Sequence, residues 1–409
     1  MAEPKENLGD TWVAELDLWR DGPPHELFKE MRAQCPVHWS AGMTEDPDEP
    51  GYWSVTRAED VKTVSRDWRT YSSHPAVVIA THGFPVELEQ KEFIAMDPPR
   101  HDRIKALFQA GFTPKRIALQ EPRLRAIIEK VFSGLDGHET CDLVKDVAAP
   151  VVSRVTGEFV GIPEEEDPEW AALINARMGF EDEDVNQGRT PGEIIDELFA
   201  RCQKLIAERR VEPRDDLASI LVHAEVEGEE LPEDEVVMGI ALLLEGGLDS
   251  TKATFCSGMR ELLEHPAERR KLLDDPSLIP SAVEESLRMF PPFAHMRRTA
   301  TCDAELGGQQ IKKGDKVIMW YPSSNRDEAV YEEPDRFDAE RNPDHQSFGA
   351  GGRHFCLGFA LARLELNVLF EETLRRYPEM ELDGEPVMVQ TTSLVQLKSL
   401  PVRLGPRGA

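Results

Sequence analysis

Residues 347–358 read SFGAGGRHFCLG, a glycine-rich loop that delivers Cys356 to the start of an apolar helical pattern. Leu357, Leu361 and Leu364 continue that pattern at helical spacing. A thiolate at a helix N-terminus is stabilised by the helix dipole and by unpaired backbone N–H groups, and glycines let the backbone approach a cofactor. An isolated cysteine is more often a small buried hydrophobe, so the spacing of its neighbours decides. That spacing outweighs the preference and favours a functional cysteine over a structural one.

Composition excludes several classes of protein. The chain has 409 residues, of which 40% are hydrophobic and 30% charged, and no stretch approaches the roughly 20 apolar residues of a membrane span. Its 47 basic and 77 acidic residues give a net charge of -30, which disfavours binding to nucleic acid. The first residues, MAEPKENLGDTW, lack the features of a secretory signal. We therefore expect a cytoplasmic protein without a membrane anchor.

The pattern along the chain predicts a mainly α protein with small β-sheets, an α+β fold. Helical periodicity dominates from about residue 97 to 295. A hairpin is predicted over 303–311 and a strand over 316–321. Residues 236–244 are apolar almost all round, as in a buried central helix, and Gly246 and Gly247 follow inside it. Those glycines indicate either close approach of a flat ligand or tight packing against another helix.

The cysteine loop resembles the signature of the cytochrome P450 family. Gly352, His354, Cys356 and Gly358 match it, whereas Phe348 lies one residue further from the cysteine than usual. Further family segments occur in order along nearly the whole chain. The resemblance implies a single P450 domain over 1–409, with haem b (iron protoporphyrin IX) between a long central helix and the cysteine-bearing loop. Cys356 would be the iron ligand.

A second segment resembles the family's structural Glu-Arg-Arg network. Glu285 and Arg288 stand at i, i+3, a spacing that lets a carboxylate and a guanidinium meet on one helix face. Alone, such a pair is usually a surface ion pair. Arg336, in the later run Pro-Asp-Arg-Phe, would complete the network beneath the haem. Ser281 and Glu284 read as a capping box that begins the helix.

Basic residues match the family's contacts to the haem propionates. His101 and Lys105 are spaced to share one helix face. The family usually has arginine in place of Lys105, and lysine cannot form the bidentate contact that arginine makes. Arg298 and His354 match the other propionate contacts. Ordinary surface charge is the competing interpretation.

The central helix carries residues that match the family's oxygen-binding groove. Gly246 and Gly247 would form the groove, which favours the flat-ligand explanation of these glycines. Asp249 and Ser250 would relay protons during O₂ activation. Most family members have threonine in place of Ser250, and serine lacks the methyl group that restricts the rotamer. We therefore expect looser proton delivery.

The resemblance implies a haem-thiolate monooxygenase that uses O₂ to hydroxylate an apolar organic substrate, such as a sterol side chain, a branched lipid or a terpenoid. The expected pocket is mostly apolar with few charges. Its residues come from Val77–Phe93, Met178–Phe180, Leu243, Phe293–Met296 and Ser393–Val395, with Leu243, Phe293, Met296 and Leu394 singled out.

Electrons are expected from a separate ferredoxin and its ferredoxin reductase, because only about 50 residues follow Cys356. A local basic surface could dock the donor despite the net charge. Its candidate residues are Arg103, Lys105, Lys115, Arg116 and Arg353; solvated charge without a partner is the competing interpretation.

The sequence leaves three other functions open. The chain could be a catalytically silent haem-binding sensor or a peroxide-driven haem-thiolate enzyme, and the pair Asp249 and Ser250 argues against both. A helical scaffold without haem would require every motif above to be coincidence.

Overall fold

The computed structural model describes residues 13–40, 51–79, 84–109 and 111–408. About 52% of the structure is helical, and the strands form small sheets. The predicted mainly α architecture with small β-sheets is therefore confirmed.

The helices include short connecting turns and several long segments that enclose the site. In chain order they are α1 His25–Gln34, α2 Ala58–Arg66, α3 Val86–Glu89, α4 Arg100–Gln109, α5 Pro114–Ala118, α6 Glu121–Ser133, α7 Ala149–Val160, α8 Asp167–Met178, α9 Glu183–Asn186, α10 Pro191–Val211, α11 Leu217–Val222, α12 Glu233–Leu248, α13 Ser250–Glu264, α14 Pro266–Asp274, α15 Ile279–Met289, α16 Tyr321–Ser324 and α17 Phe359–Arg376.

The strands are short, with two to six residues each. They are β1 Val37–Ser40, β2 Tyr52–Val55, β3 Tyr71–Ser72, β4 Thr140–Asp142, β5 Glu225–Val226, β6 Glu229–Glu230, β7 His295–Ala300, β8 Ala304–Leu306, β9 Gln309–Ile311, β10 Lys316–Trp320, β11 Glu381–Leu382, β12 Val387–Met388, β13 Leu397–Ser399 and β14 Pro401–Arg403.

The largest sheet among the described residues has the order β1-β2-β10-β7-β3. Only its β2–β10 pair is parallel. The predicted hairpin is confirmed as β8–β9, and Gly307 and Gly308 both have positive φ at its two-residue turn, the conformation that such turns require. The predicted strand is confirmed as β10.

The predicted central helix is confirmed, but it is interrupted. It runs as α12 and α13 with a break at Asp249. The Ser250 hydroxyl donates a hydrogen bond to the Gly246 carbonyl oxygen at 2.7 Å. A side chain that bonds to the backbone four residues earlier competes with the helical ladder and opens the helix there.

The two halves of the central helix belong to different parts of the apolar core. One cluster packs α13 with α6, α7, α15 and α17, and the other packs α12 with α4, α8, α10 and α11. Leu361 and Leu364 of α17 contact both clusters. The break therefore lies where the two clusters meet.

The capping box predicted for α15 is wrong. The helix begins at Ile279, so Ser281 lies inside its first turn, where its hydroxyl accepts the backbone N–H of Asn342 at 3.0 Å. Glu284 instead accepts two hydrogen bonds from Arg363, at 2.6 and 2.7 Å. Both side chains bind distant segments rather than their own helix end.

Within the described residues, no helix combines the length and the apolar character that crossing a bilayer requires.

Candidate active site

A cavity of about 350 Å³ separates the central helix from the cysteine loop. One face is formed by residues of the loop and α17, and the opposite face by residues on both sides of the helix break. The loop side includes Phe348, Gly349, Cys356, Leu357, Gly358 and Leu361, and the helix side Leu242, Leu243, Gly246, Gly247, Ser250 and Thr251.

Cys356 is held at the N-terminus of α17 by its own loop. Its backbone N–H donates to the Phe348 carbonyl oxygen at 2.9 Å. Burial raises the pKa of the Cys356 thiol, while backbone N–H groups of Gly358 and Phe359 bond to the sulfur and act to lower it. The same N–H groups would stabilise a thiolate that donates to a metal. A side-chain carbon at Gly358 would meet no atom within 4 Å, so the loop leaves open space beside the sulfur.

The two glycines of α12 have different surroundings. A side-chain carbon at Gly246 would meet no atom within 4 Å, because this residue faces the cavity. At Gly247 the same carbon would lie 2.6 Å from the Thr156 side chain. Both explanations from the sequence therefore apply: Gly246 leaves room for a flat ligand, and Gly247, although it borders the cavity, permits close packing on α7.

Ser250 and Asp249 point in different directions. Ser250 lines the cavity, whereas Asp249 does not and is only 1% exposed. Lys252 donates to Asp249 Oδ1 at 2.5 Å and to Asn175 Oδ1 at 2.8 Å. Among the described residues, Asp249 Oδ2 has no hydrogen-bond partner. The structure brings the hydroxyl of the predicted pair to the site and ties the carboxylate to a lysine behind it.

Four predicted propionate contacts, His101, Lys105, Arg298 and His354, gather on one rim of the cavity. The rings of His101 and His354 lie 4.1 Å apart, and burial lowers the pKa of both. Lys105 donates to the carbonyl oxygens of Arg353 and Phe355 at 2.6 and 2.7 Å. It thus also supports the cysteine loop, a contact that the sequence did not predict.

Arg298 is the clearest sign of an anionic ligand on this rim. It is 4% exposed, and no carboxylate among the described residues forms an ion pair with it. A buried guanidinium without a counter-ion is costly unless an anion binds there. The buried guanidinium of Arg298, the ammonium group of Lys105, the open space at Gly246 and the thiol of Cys356 together fit haem b with its two propionates.

Gly352 does not reach the cavity. It has a φ of +90°, and a side-chain carbon there would lie 2.7 Å from the Ser65 carbonyl oxygen. Close packing of the loop on the end of α2 therefore explains this glycine, and direct contact with a cofactor stays a prediction.

The structural network differs from the prediction in its third member. Glu285 and Arg288 are both fully buried and joined by two hydrogen bonds, at 2.7 and 2.8 Å. Arg336, predicted as the third side chain, is 59% exposed and pairs with Asp338. Arg341 takes its place, donating to Glu285 Oε1 at 3.0 Å. The prediction of Arg336 is wrong because its side chain turns to solvent; it contributes only its carbonyl oxygen, to Arg288 and Arg341.

Most of the predicted substrate wall lines the cavity. Leu243, Phe293 and Met296 do so, as do Met178 and Phe180. Leu394 does not: it is 1% exposed and forms a backbone bridge to Phe293. Residues 80–83 of the predicted loop lie outside the described residues.

The expectation of few charges in the pocket is incomplete. Glu89, Glu92, Arg177 and Glu245 also line it. Their signal in the sequence was weak, because each resembles an ordinary charged surface residue until the fold brings them together.

Glu365 is a further residue that the sequence did not single out. It lines the cavity from α17 and is 2% exposed. Burial raises its pKa to about 8, against a hydrogen bond with the Thr251 side chain that lowers it. The sequence could have indicated Glu365, because it is a charged residue within the apolar helical pattern that follows Cys356. Near neutral pH this group holds a proton beside the helix break.

Comparison with known proteins gives matches over nearly the whole chain. A family model for cytochrome P450 matches residues 271–404. A steroid C26-monooxygenase of Mycobacterium tuberculosis is 38% identical over 405 residues, which are 97% of this chain and 98% of the relative. A methyl-branched lipid omega-hydroxylase of Mycobacterium bovis is 33% identical over 413 residues, 98% of this chain and 96% of the relative. The chain belongs to the cytochrome P450 family.

The fold of this P450 agrees with solved structures of the family. The complex of Mycobacterium marinum cytochrome P450 CYP268A2 with pseudoionone superposes with a TM-score of 0.91 at 35% identity, covering 98% of this chain and 99% of that one. The P450 described here is accordingly a haem-binding monooxygenase.

Proposed function

We propose that this P450 hydroxylates a lipid with a large apolar skeleton, such as a sterol side chain, a methyl-branched lipid or a terpenoid, and that residues 1–409 act as one catalytic unit. The observation that carries the proposal is the cavity itself, with Cys356 on one face, Ser250 on the other and apolar side chains such as Leu243, Phe293 and Met296 between them. Similarity to a steroid C26-monooxygenase and a methyl-branched lipid omega-hydroxylase supports this substrate class.

The loop and the rim would hold the cofactor. Cys356 would ligate the haem iron, and His101, Lys105, Arg298 and His354 would face the propionates. When bound, haem supplies the activation of O₂ and the oxidising power that an unactivated C–H bond requires. The protein positions the substrate and moves protons.

Proton delivery would begin at the helix break. Ser250 presents a hydroxyl to the cavity while its proton bonds to the Gly246 carbonyl oxygen. Asp249 lies one residue away, so its carboxylate could take part once it separates from Lys252. This pair of groups supports use of O₂ rather than peroxide, because O₂ activation needs delivered protons.

A ferredoxin and its reductase would supply the electrons. Of the basic residues considered for docking, Arg103 pairs with Glu227 and Arg353 with Asp102. Lys105 binds loop carbonyl oxygens. Lys115 and Arg116 on α5 are exposed, next to Leu119, which is 73% exposed. We place the docking surface on Lys115 and Arg116 of α5 together with Leu119, which directly follows the helix, and we call these three residues the α5 patch.

The cofactor assignment is tested with the reduced, carbon monoxide-bound difference spectrum of wild type, Cys356→Ala and Cys141→Ala. Cys141 is another partly buried cysteine and serves as the matched control. We expect a Soret band at the thiolate position in wild type and in Cys141→Ala, and its loss in Cys356→Ala. A spectrum indifferent to Cys356 would overturn the assignment.

The substrate class is tested by titrating the ferric protein with a sterol, a methyl-branched lipid and a terpenoid. Binding of a substrate beside the haem would be measured as a shift of the Soret band. Saturable binding of one class, followed by hydroxylation with ferredoxin, its reductase and NAD(P)H, is expected. Failure of all three classes to bind or react would refute the proposed substrates.

A further inference from the structure

A cluster of buried ionisable side chains interrupts the apolar wall of the cavity. Glu89 is the last residue of α3, and Glu92 lies in the segment after that helix. Arg177 belongs to α8 and Glu245 to α12. Arg177 donates to Glu92 at 2.9 Å and forms a second ion pair with Glu245. One guanidinium thus joins two carboxylates from separate segments of the chain.

Glu89 is the member of this cluster that lacks a partner. It is 8% exposed and lines the cavity, and its Oε2 atom has no hydrogen-bond partner among the described residues. Burial and the neighbouring Glu92 raise its pKa to about 7, whereas Arg177 and Arg297 act to lower it. A buried carboxyl oxygen that no protein group satisfies is a site for a donor from a ligand.

Glu181, which lines the same cavity, has a carboxylate whose hydrogen bonds come from protein donors. Glu181 accepts the Thr391 hydroxyl at 2.6 Å and the Thr392 backbone N–H at 2.7 Å. Two donors from one segment therefore bind its Oε2 atom. For Glu89, the described protein offers no equivalent donor.

The balance of charge determines which polar group fits. Three carboxyl groups surround Arg177, whose guanidinium is already paired with two of them. Arg297 is the second guanidinium that acts on Glu89, so an anionic group on the substrate would face three carboxyl groups against two guanidinium groups. A hydroxyl or ammonium group would meet acceptors instead.

We propose that the substrate of this P450 is amphiphilic, with a hydrogen-bond donor, a hydroxyl or an ammonium group, that binds Glu89 Oε2 while its apolar skeleton fills the rest of the cavity. The inference rests on the proposed monooxygenase function. It narrows the substrate class to lipids that carry a hydrogen-bond donor and excludes lipids whose polar group is a carboxylate. Glu89 would then be a specificity-determining residue.

The cluster that contains Glu89 is connected to the helix break, so a substrate bound to Glu89 would have a defined position in the cavity. Glu245 directly precedes Gly246, the residue that leaves open space on the helix face, and Arg177 links Glu245 to the segment that follows Glu89. A substrate anchored at Glu89 is therefore held at a fixed place relative to the helix break. The anchor would select which carbon of the skeleton is oxidised.

The experiment compares matched ligands that differ only at the polar end. Farnesol, its methyl ether and farnesoic acid form one set, and cholesterol with its 3-methyl ether a second. Dissociation constants come from the Soret shift of the ferric protein, in variants first shown to give the thiolate Soret band with carbon monoxide. We expect the alcohol of at least one set to bind about tenfold more tightly than its ether, and farnesoic acid to bind no better than the ether.

Three variants assign any preference to Glu89. Glu89→Leu should bring the ratio of the two dissociation constants close to one, because it removes the acceptor, while the ether still binds. Glu89→Gln keeps an acceptor oxygen and should retain the preference. Glu87→Leu, an exposed carboxylate on the same helix, should leave the ratio unchanged.

Each outcome separates this inference from the proposed function. A protein that keeps the thiolate Soret band but binds the ether or the acid as tightly as the alcohol overturns the donor site alone. Absence of binding by every probe overturns the donor site and also counts against sterols and terpenoids as substrates. A donor preference that survives in Glu89→Leu also overturns it. Loss of the thiolate band in wild type would refute the proposed function instead.

Discussion

Ser250 lies at the helix break and differs from threonine only in lacking a methyl group, so substitutions there test the hydroxyl and the methyl group separately. Ser250 already forms the bond to Gly246 that opens the helix, and threonine would keep that bond while its methyl group restricts the rotamer. We predict that Ser250→Thr releases less peroxide per NAD(P)H consumed, by about twofold. Ser250→Ala, which lacks the hydroxyl, should release more than wild type. Equal coupling in wild type and Ser250→Thr would contradict the prediction.

Glu365 should make stability depend on pH in an unusual direction. Burial raises its pKa from 4.5 to about 8, so between these values the folded protein binds a proton that the unfolded chain has lost. The free energy of unfolding must then fall as the pH rises through this window. At about 1.4 kcal/mol per pKa unit, the cost reaches a few kcal/mol above pH 8.

Replacing Glu365 with glutamine removes the titrating group and keeps its size. We predict that Glu365→Gln flattens the decline in the free energy of unfolding between pH 5 and 8, measured by denaturant titration at several pH values. The exposed Glu87→Gln serves as the control and should follow wild type. A Glu365→Gln protein with the wild-type pH dependence would show that this carboxyl group is ionised in the folded state.

At the scale of elements, the network under the cysteine loop joins α15 to the segment that follows α16. Arg341 reaches Glu285 and also donates to the carbonyl oxygen of Glu332 at 2.7 Å, whereas Arg336 is largely exposed. We predict that Arg341→Ala lowers the free energy of unfolding by about 1–3 kcal/mol, since it removes a charge-assisted hydrogen bond to the buried carboxylate of Glu285. Arg336→Ala should change it by less than about 0.5 kcal/mol. Denaturant titration and haem retention of both variants would measure the difference, and equal effects would argue against the assignment.

The same pair of arginines shows where sequence reasoning stops. Glu285 and Arg288 are three residues apart on one helix, so their contact follows from helical geometry alone. The third member of the network comes from an irregular segment, where no periodicity in the sequence indicates whether Arg336 or Arg341 points inward. Arg336 stood in the expected motif, yet Arg341 makes the contact.

For the whole molecule, local patterns predicted the helical class, the hairpin, the central helix and the cysteine loop, because each is encoded within about 20 neighbouring residues. Contacts between distant segments were not predictable in this way. The glutamates around Arg177 and the turn of Asp249 towards Lys252 depend on which helix faces meet. The site's polar details were therefore missed, whereas Cys356 and Gly246 do line the cavity as the sequence predicted.

The charge of the whole molecule bears on how an electron donor would approach. With a net charge of -30, the protein repels an acidic ferredoxin at long range, so productive encounters depend on a local basic surface. The α5 patch offers Lys115 and Arg116, exposed beside the apolar Leu119. Because α5 packs on α17, the helix that follows Cys356, this patch lies on the cysteine side of the cavity.

We predict that Lys115→Glu/Arg116→Glu slows reduction of the ferric protein by an acidic [2Fe–2S] ferredoxin about tenfold at low ionic strength. The difference from wild type should shrink as salt is added, since screening weakens steering by exposed charges. Lys313→Glu, an exposed lysine between β9 and β10, provides the control and should have little effect. Stopped-flow measurement of the reduction rate across a salt series would decide the matter. If the control variant slowed reduction as much as the double variant, net charge rather than the α5 patch would govern the encounter.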